Sequence, residues 1–131
     1  MSKIGYKELV EAAEAKIRIV SASDAIDMLN SDDIVFVDLR DIRELKREGG
    51  IPGAFHCPRG MLEFWICPES PYHKAVFAED KEFVLFCAGA MRSALAAKVA
   101  QDMGLRPVGH MLGGFGAWKK VGAAVEFDEK K

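Results

Sequence analysis

A chain of 131 residues, half of them hydrophobic, is about the usual size of one domain and long enough to bury a core of its own. Eighteen basic and twenty acidic residues, interspersed, leave a net charge of −2, so no global field recommends nucleic acid or an anionic membrane as partner. No apolar run approaches the ~18 residues of a membrane span, and the opening Met1-Ser2-Lys3-Ile4 begins no signal core, which makes the cytoplasm the expected location.

Residues 6–17 set Leu9, Val10, Ala13 and Ile17 at helical spacing among Glu and Lys, which predicts an amphipathic helix lying on the core as an accessory over 1–16. Residues 17–20 alternate apolar and basic as an edge strand would, and the serines at 21 and 23 are N-cap candidates for a helix through Leu29. After the polar stop at 30–33, Ile34-Val35-Phe36-Val37 is a β-branched and aromatic run of the kind buried on both faces of a parallel sheet. Residues 41–48 predict a short surface helix touching the core through Ile42 and Leu45 and ended by Gly49-Gly50. A brief strand at 54–56 precedes an irregular excursion over 58–71, rich in proline, with a helical turn at 61–65.

Residues 83–86 form the second central strand. Residues 93–103 form the best helix, with Leu95, Val99 and Met103 on one face, small alanines allowing close approach to the sheet, and Gly104 as its cap. A strand at 107–112 and a short helix at 114–120 follow, with Phe115 and Trp118 assigned to the core, and residues 126–131 are a charged tail. Strands alternating with helices at these intervals define an α/β fold: one domain over 1–131, a mainly parallel central sheet, helices on both faces. Ligands of such sheets gather outside the carboxyl ends of the strands, where Asp38 and Cys87 both stand.

Cys87 is the residue with chemistry in it. An apolar strand delivers the thiol, the loop Ala88-Gly89-Ala90-Met91-Arg92 follows, and Ser93 is expected to cap the next helix, with Gly89 supplying a positive φ. Loop amides and a helix N-terminus both aim partial positive charge at the sulfur and favour thiolate over thiol. A buried cysteine can also be no more than a small hydrophobe. The glycine, the arginine and the serine around it favour the reactive reading. Cys57, Cys67 and Cys87 make no disulfide framework, and His56, Cys57, Cys67 and His73 match no closed zinc spacing, so free thiols and no metal are expected. Cys57 should pack in the core, Cys67 should lie in a loop, and His56 should serve as a strand residue rather than a base.

Four motifs in order, Val37-Asp38-Leu39-Arg40, Gly50-Ile51-Pro52-Gly53-Ala54, Cys87 to Arg92-Ser93, and Gly113-Gly114-Phe115-Gly116-Ala117-Trp118, resemble those of a single-domain rhodanese over roughly residues 17–125. The resemblance implies a rhodanese-like domain and a sulfurtransferase whose nucleophile, Cys87, takes a sulfane sulfur as a persulfide and passes it on. The partners would be a small sulfane-sulfur donor and a thiol, cyanide or protein acceptor, with no cofactor; the oligomeric state is left open. Ala88, Gly89, Ala90, Met91 and Arg92 would bind substrate. Asp38 and Arg40 would brace the loop, with Asp38 pairing with Arg92. Arg59 could add positive charge at the site or simply be solvated. Similar cysteine phosphatases place five residues between Cys and Arg, against four here, which favours sulfur over phosphate. Relatives selective for thiosulfate carry basic residues after the cysteine and an arginine where this chain has Glu44, so thiosulfate selectivity is not supported. A rhodanese-like binding module is the alternative, and such modules frequently lack the cysteine.

Overall fold

The computed structural model describes residues 3–127. Five parallel strands, β1 (Arg18–Val20), β2 (Ile34–Asp38), β3 (Phe55–His56), β4 (Glu82–Phe86) and β5 (Val108–Met111), form one sheet in the order β1-β5-β4-β2-β3. Among the described residues six α-helices flank it, α1 (Tyr6–Glu14), α2 (Ala22–Met28), α3 (Ile42–Glu48), α4 (Leu62–Ile66), α5 (Met91–Asp102) and α6 (Gly114–Lys120).

The two central strands show why the fold needs helices on both faces. In β4, Phe83 and Leu85 join one core with Val37, Leu62 and the alanines of α5, while Val84 and Phe86 join the other with Phe36, Phe115 and Trp118. A strand buried on both sides has no polar face to give to water, and each successive side chain is claimed by the opposite layer. Helices α4 and α5 cover the first core, with α1 packed outside α5; α2 and α6 cover the second.

Local chemistry places the elements close to their expected bounds. Ser21 Oγ accepts from the Asp24 amide and starts α2. Asp41 and Glu44 form a reciprocal capping box that starts α3. Helix α5 ends in a Schellman turn, with the Leu105 amide on the Ala100 carbonyl, the Gly104 amide on the Gln101 carbonyl, and Gly104 at φ 101°. Of the charged tail expected at 126–131, Glu126 bridges Gly50, and residues 128–131 lie outside the described residues.

Helix α5 differs from expectation in its start and in its buried face. It begins at Met91, and its innermost surface is Ala94, Ala96, Ala97 and Ala100, all fully buried, whereas Leu95 and Val99 are half-buried and Met103 is exposed. Methyl-sized side chains let the helix axis approach the sheet, and the larger ones turn outward to meet α1.

Candidate active site

From β2 the chain crosses to β3 on one side of the sheet, and from β4 to β5 on the other. The carboxyl ends of β2 and β4, neighbours with Asp38 opposite Phe86, therefore flank a topological switch point. Cys87 follows β4 directly.

The loop after Cys87 is held from outside. The Phe115 and Gly116 amides, in the first turn of α6, donate to the Cys87 and Ala88 carbonyls at 2.7 and 3.0 Å. Gly113 and Gly114, at φ 75° and 57°, let that turn press onto the loop, where a Cβ on Gly114 would collide with the carbonyls of Cys87 and Gly89. Gly89 itself has no positive φ and faces open space, so the expectation placed on it is corrected: the left-handed glycines this loop depends on are across the interface. With the Cys87 and Ala88 carbonyls occupied, none of the amides from Ala88 to Arg92 donates to a backbone carbonyl among the described residues.

Ser93 is corrected too. Ala90 holds the N-cap position without a side-chain cap, and Ser93 is the third residue of α5. Its fully buried hydroxyl lies 3.7 Å from Cys87 Sγ, 3.2 Å from the Ala90 carbonyl and 2.9 Å from His110 Nδ1.

Asp38 does not pair with Arg92. Its Oδ1 accepts from the Arg40 amide at 3.0 Å and from Arg40 Nε at 2.9 Å, and its Oδ2 from Arg40 Nη2 at 2.7 Å. That guanidinium also donates to the Gly49 carbonyl at 2.8 Å and stacks 4.2 Å above the Phe115 ring. Both side chains are almost wholly buried, so each needs the other: a two-residue spacing lets a strand-end carboxylate close a fork on the arginine next door. Through Phe115 this pair supports the turn that carries the cysteine's carbonyl.

Arg92 instead makes a bidentate pair with Glu44, at 2.8 and 3.0 Å, across 48 residues of sequence. The hydrogen bonds from Arg92 hold the Glu44 carboxyl down at about 2. The Arg92 guanidinium is raised in turn, first by its hydrogen bonds to Glu44 and to a smaller extent by Cys87. Beside the loop a cleft of about 180 Å³ is bounded by Arg40, Glu44, Glu48, Ala88, Phe115 and Lys119, among others. Its acids and bases alternate, with Lys119 on Glu48 at 3.0 Å.

Of the expected substrate residues, Ala88, Gly89 and Met91 are exposed and Ala90 and Arg92 half-buried, while Cys87 is only 1% exposed. Access to the sulfur is therefore narrow. Arg59 is engaged with Glu63 at 2.9 Å on α4 and does not bound the cleft. His56 Nε2 meets the Arg40 carbonyl at 2.7 Å, and His73 Nδ1 meets that of Trp65. Cys57 is fully buried, which pushes its thiol up to about 12, and Cys67 follows α4 directly. No group of three or more His, Cys, Asp or Glu among the described residues could hold a metal ion. Sequence reasoning missed Glu44 as the partner of Arg92, His110, and the loop-bracing role of Phe115. The Asp-x-x-Glu capping box was a signal for Glu44's position, and a histidine inside an apolar strand was one for His110.

Known proteins agree with this geometry. The family model for the rhodanese-like domain matches residues 21–121. A curated mouse protein, thiosulfate sulfurtransferase/rhodanese-like domain-containing protein 3, is 27% identical over 96 residues, covering 70% of this chain; the chain spans 61% of that relative's length. A solved protein of unknown function from Rhodopseudomonas palustris, described as a possible tyrosine phosphatase, is 54% identical with a TM-score of 0.93, covering 96% of this chain and 97% of its own. The polysulfide-sulfur transferase homodimer of Wolinella succinogenes is 30% identical with a TM-score of 0.71, covering 95% and 88%. With a parallel sheet, a cysteine loop at its switch point and a family match over most of its length, the chain belongs to the rhodanese-like domain family.

Proposed function

We propose that this protein is a sulfurtransferase that carries sulfur as a persulfide on Cys87. The observation that supports it most is the loop's hydrogen bonding: its carbonyls at Cys87 and Ala88 are tied to α6, and its amides from Ala88 to Arg92 have no backbone acceptor among the described residues. Such amides suit an anion held at the sulfur, as the donors of an oxyanion hole suit oxygen. In the first step the Cys87 thiolate attacks a sulfane sulfur. The donor's sulfur–sulfur bond breaks, its remainder departs with the electron pair as a thiolate or sulfite, and Cys87 becomes a persulfide. In the second step a nucleophile such as cyanide attacks the terminal sulfur and leaves as thiocyanate, restoring the thiolate.

The Glu44–Arg92 pair bears on the donor. It neutralises the loop's arginine and sets a carboxylate beside it, which disfavours thiosulfate, a dianion. A donor of low charge, such as a protein-borne or other organic persulfide, suits this site better.

Phosphate-ester hydrolysis is the second reading, prompted by the description of the Rhodopseudomonas protein. Three features oppose it: four residues rather than five between Cys87 and Arg92, an arginine already occupied by Glu44, and a thiol too covered for a tetrahedral phosphate. Steady-state transfer to cyanide from several donors, beside hydrolysis of an aryl phosphate, separates the readings. Sulfur transfer lost in Cys87→Ser supports the proposal. Phosphatase turnover, or donor binding without turnover, contradicts it.

A further inference from the structure

Helix α1 precedes the stretch that the family model matches, yet it reaches the buried side of the nucleophile. His110 sits in β5, fully buried, with Ile19 of β1 and Leu85 of β4 beside it in register. Its Nδ1 is 2.9 Å from Ser93 Oγ, and Ser93 Oγ is 3.7 Å from Cys87 Sγ. On the other side its Nε2 faces Glu14 Oε2 of α1 at 3.2 Å, off the hydrogen-bond line, and has no aligned partner among the described residues. The titratable and charged groups facing His110 are thus Glu14 directly and, through Ser93, Cys87, while Arg92 is paired with Glu44.

The Glu14 end of this row fixes how its protons are arranged. A carboxylate only accepts, so Glu14 selects the tautomer with hydrogen on Nε2 and leaves Nδ1 bare. The Ser93 hydroxyl has two acceptors in reach, the Ala90 carbonyl at 3.2 Å and a bare Nδ1 at 2.9 Å; with Nδ1 bare its one proton goes to the shorter contact, and its oxygen accepts from the Cys87 thiol. Every donor points away from the cysteine toward α1.

We propose that Ser93, His110 and Glu14 form a proton relay for Cys87, making the N-terminal helix a working part of the site. The inference rests on Cys87 being the reacting thiol. When the thiol ionises, its S–H bond breaks and the proton passes to Ser93 Oγ as the Ser93 proton passes to His110 Nδ1. A thiolate accepting from Ser93 and an imidazolium facing the Glu14 carboxylate result, with no change in net charge or oxidation state. Burial pulls the His110 pKa down and Glu14 opposes this, so the ring starts neutral and able to receive a proton, with its counter-ion in place. Ser93, His110 and Glu14 are positioning residues: only Cys87 touches the sulfur being transferred.

The test is alkylation of Cys87 against pH in the full-length protein, read beside sulfur uptake by mass. Glu14 is partly exposed, so Glu14→Gln keeps the fold and the side-chain shape while removing the charge. Its alkylation profile moves to higher pH by about one unit, roughly tenfold slower near neutrality. Ser93→Ala moves it in the same direction, and Ser93→Thr, which retains the hydroxyl, recovers most of the rate. Nitrogen NMR places the His110 proton on Nε2 in the wild type. Profiles unchanged in both Glu14→Gln and Ser93→Ala, or a proton found on Nδ1, overturn the relay. If Cys87 alkylates as described but never accepts sulfur, the proposed function fails and the relay stands.

Discussion

Replacing Glu44 with Gln tests whether charge at the mouth of the loop selects the donor. Gln at the third position of α3 still completes the capping box with Asp41, so the helix start survives and only the carboxylate's charge is lost. Arg92, freed from a bidentate pair, then offers its guanidinium to an incoming anion. A unit charge removed about 6 Å from a dianion changes its energy by roughly 1.4 kcal/mol at the dielectric constant of water, and by about twice that at half this value. Thiosulfate turnover, as kcat/KM with cyanide as acceptor, should rise about 10- to 100-fold in Glu44→Gln, and the gain should shrink as salt is added. A persulfide donor of low charge should change little. Because Arg92 holds Glu44 at about 2, the wild-type carboxylate is charged at every practical assay pH, and acidification should not mimic the substitution. Equal thiosulfate turnover in the two proteins at low salt would refute the argument, as would a wild type that already uses thiosulfate as well as any other donor.

Breaking the buried Asp38–Arg40 pair by Asp38→Asn or Arg40→Ala should cost about 3–5 kcal/mol in denaturant melts, since each change strands a buried polar partner; a loss under ~1 kcal/mol would contradict the bracing role. Gly114→Ala should lower sulfur transfer steeply by pushing the loop off α6, whereas Gly89→Ala, facing open space at an ordinary φ, should leave the melting temperature unchanged. Cys57, its thiol raised to about 12 by burial, should resist alkylation in the native protein at pH 8 and react on unfolding. The Glu44–Arg92 pair has a depressed carboxyl, so its stabilisation is complete above the ordinary Glu value of 4.5 and fades as pH falls toward about 2. Acid melts of the wild type and Glu44→Gln should therefore converge across that interval.

The fold was legible because its signals were local. The run at 34–37 and the apolar residues at 83–86 could be stable only as strands covered on both sides, and Gly104 and the capping residues marked helix ends where a turn needs them. The site was legible along the chain but not across it. Cys87, its loop and Arg92 are contiguous, whereas the partner of Arg92 lies 48 residues away and was singled out in sequence only as standing where relatives selective for thiosulfate carry an arginine. Asp38 was read as a brace, but its partner could not be chosen from sequence, since Arg40 and Arg92 offer the same fork. Ser93 was misread because a serine near a helix start suits a cap equally well as a buried third position, and only packing against His110 decides between them. Gly89 misled in the converse way: a glycine beside a nucleophile invites a conformational reading, yet the left-handed turn sits in Gly113-Gly114.

The central claim is that Cys87 carries sulfur, and it is tested most directly by intact-protein mass spectrometry after brief exposure to a sulfane donor without acceptor. One sulfur atom should be gained, mapped by peptide analysis to Cys87, lost on adding cyanide and absent in Cys87→Ser. A mass that does not change, or added sulfur shared with the more exposed Cys67, would contradict the claim.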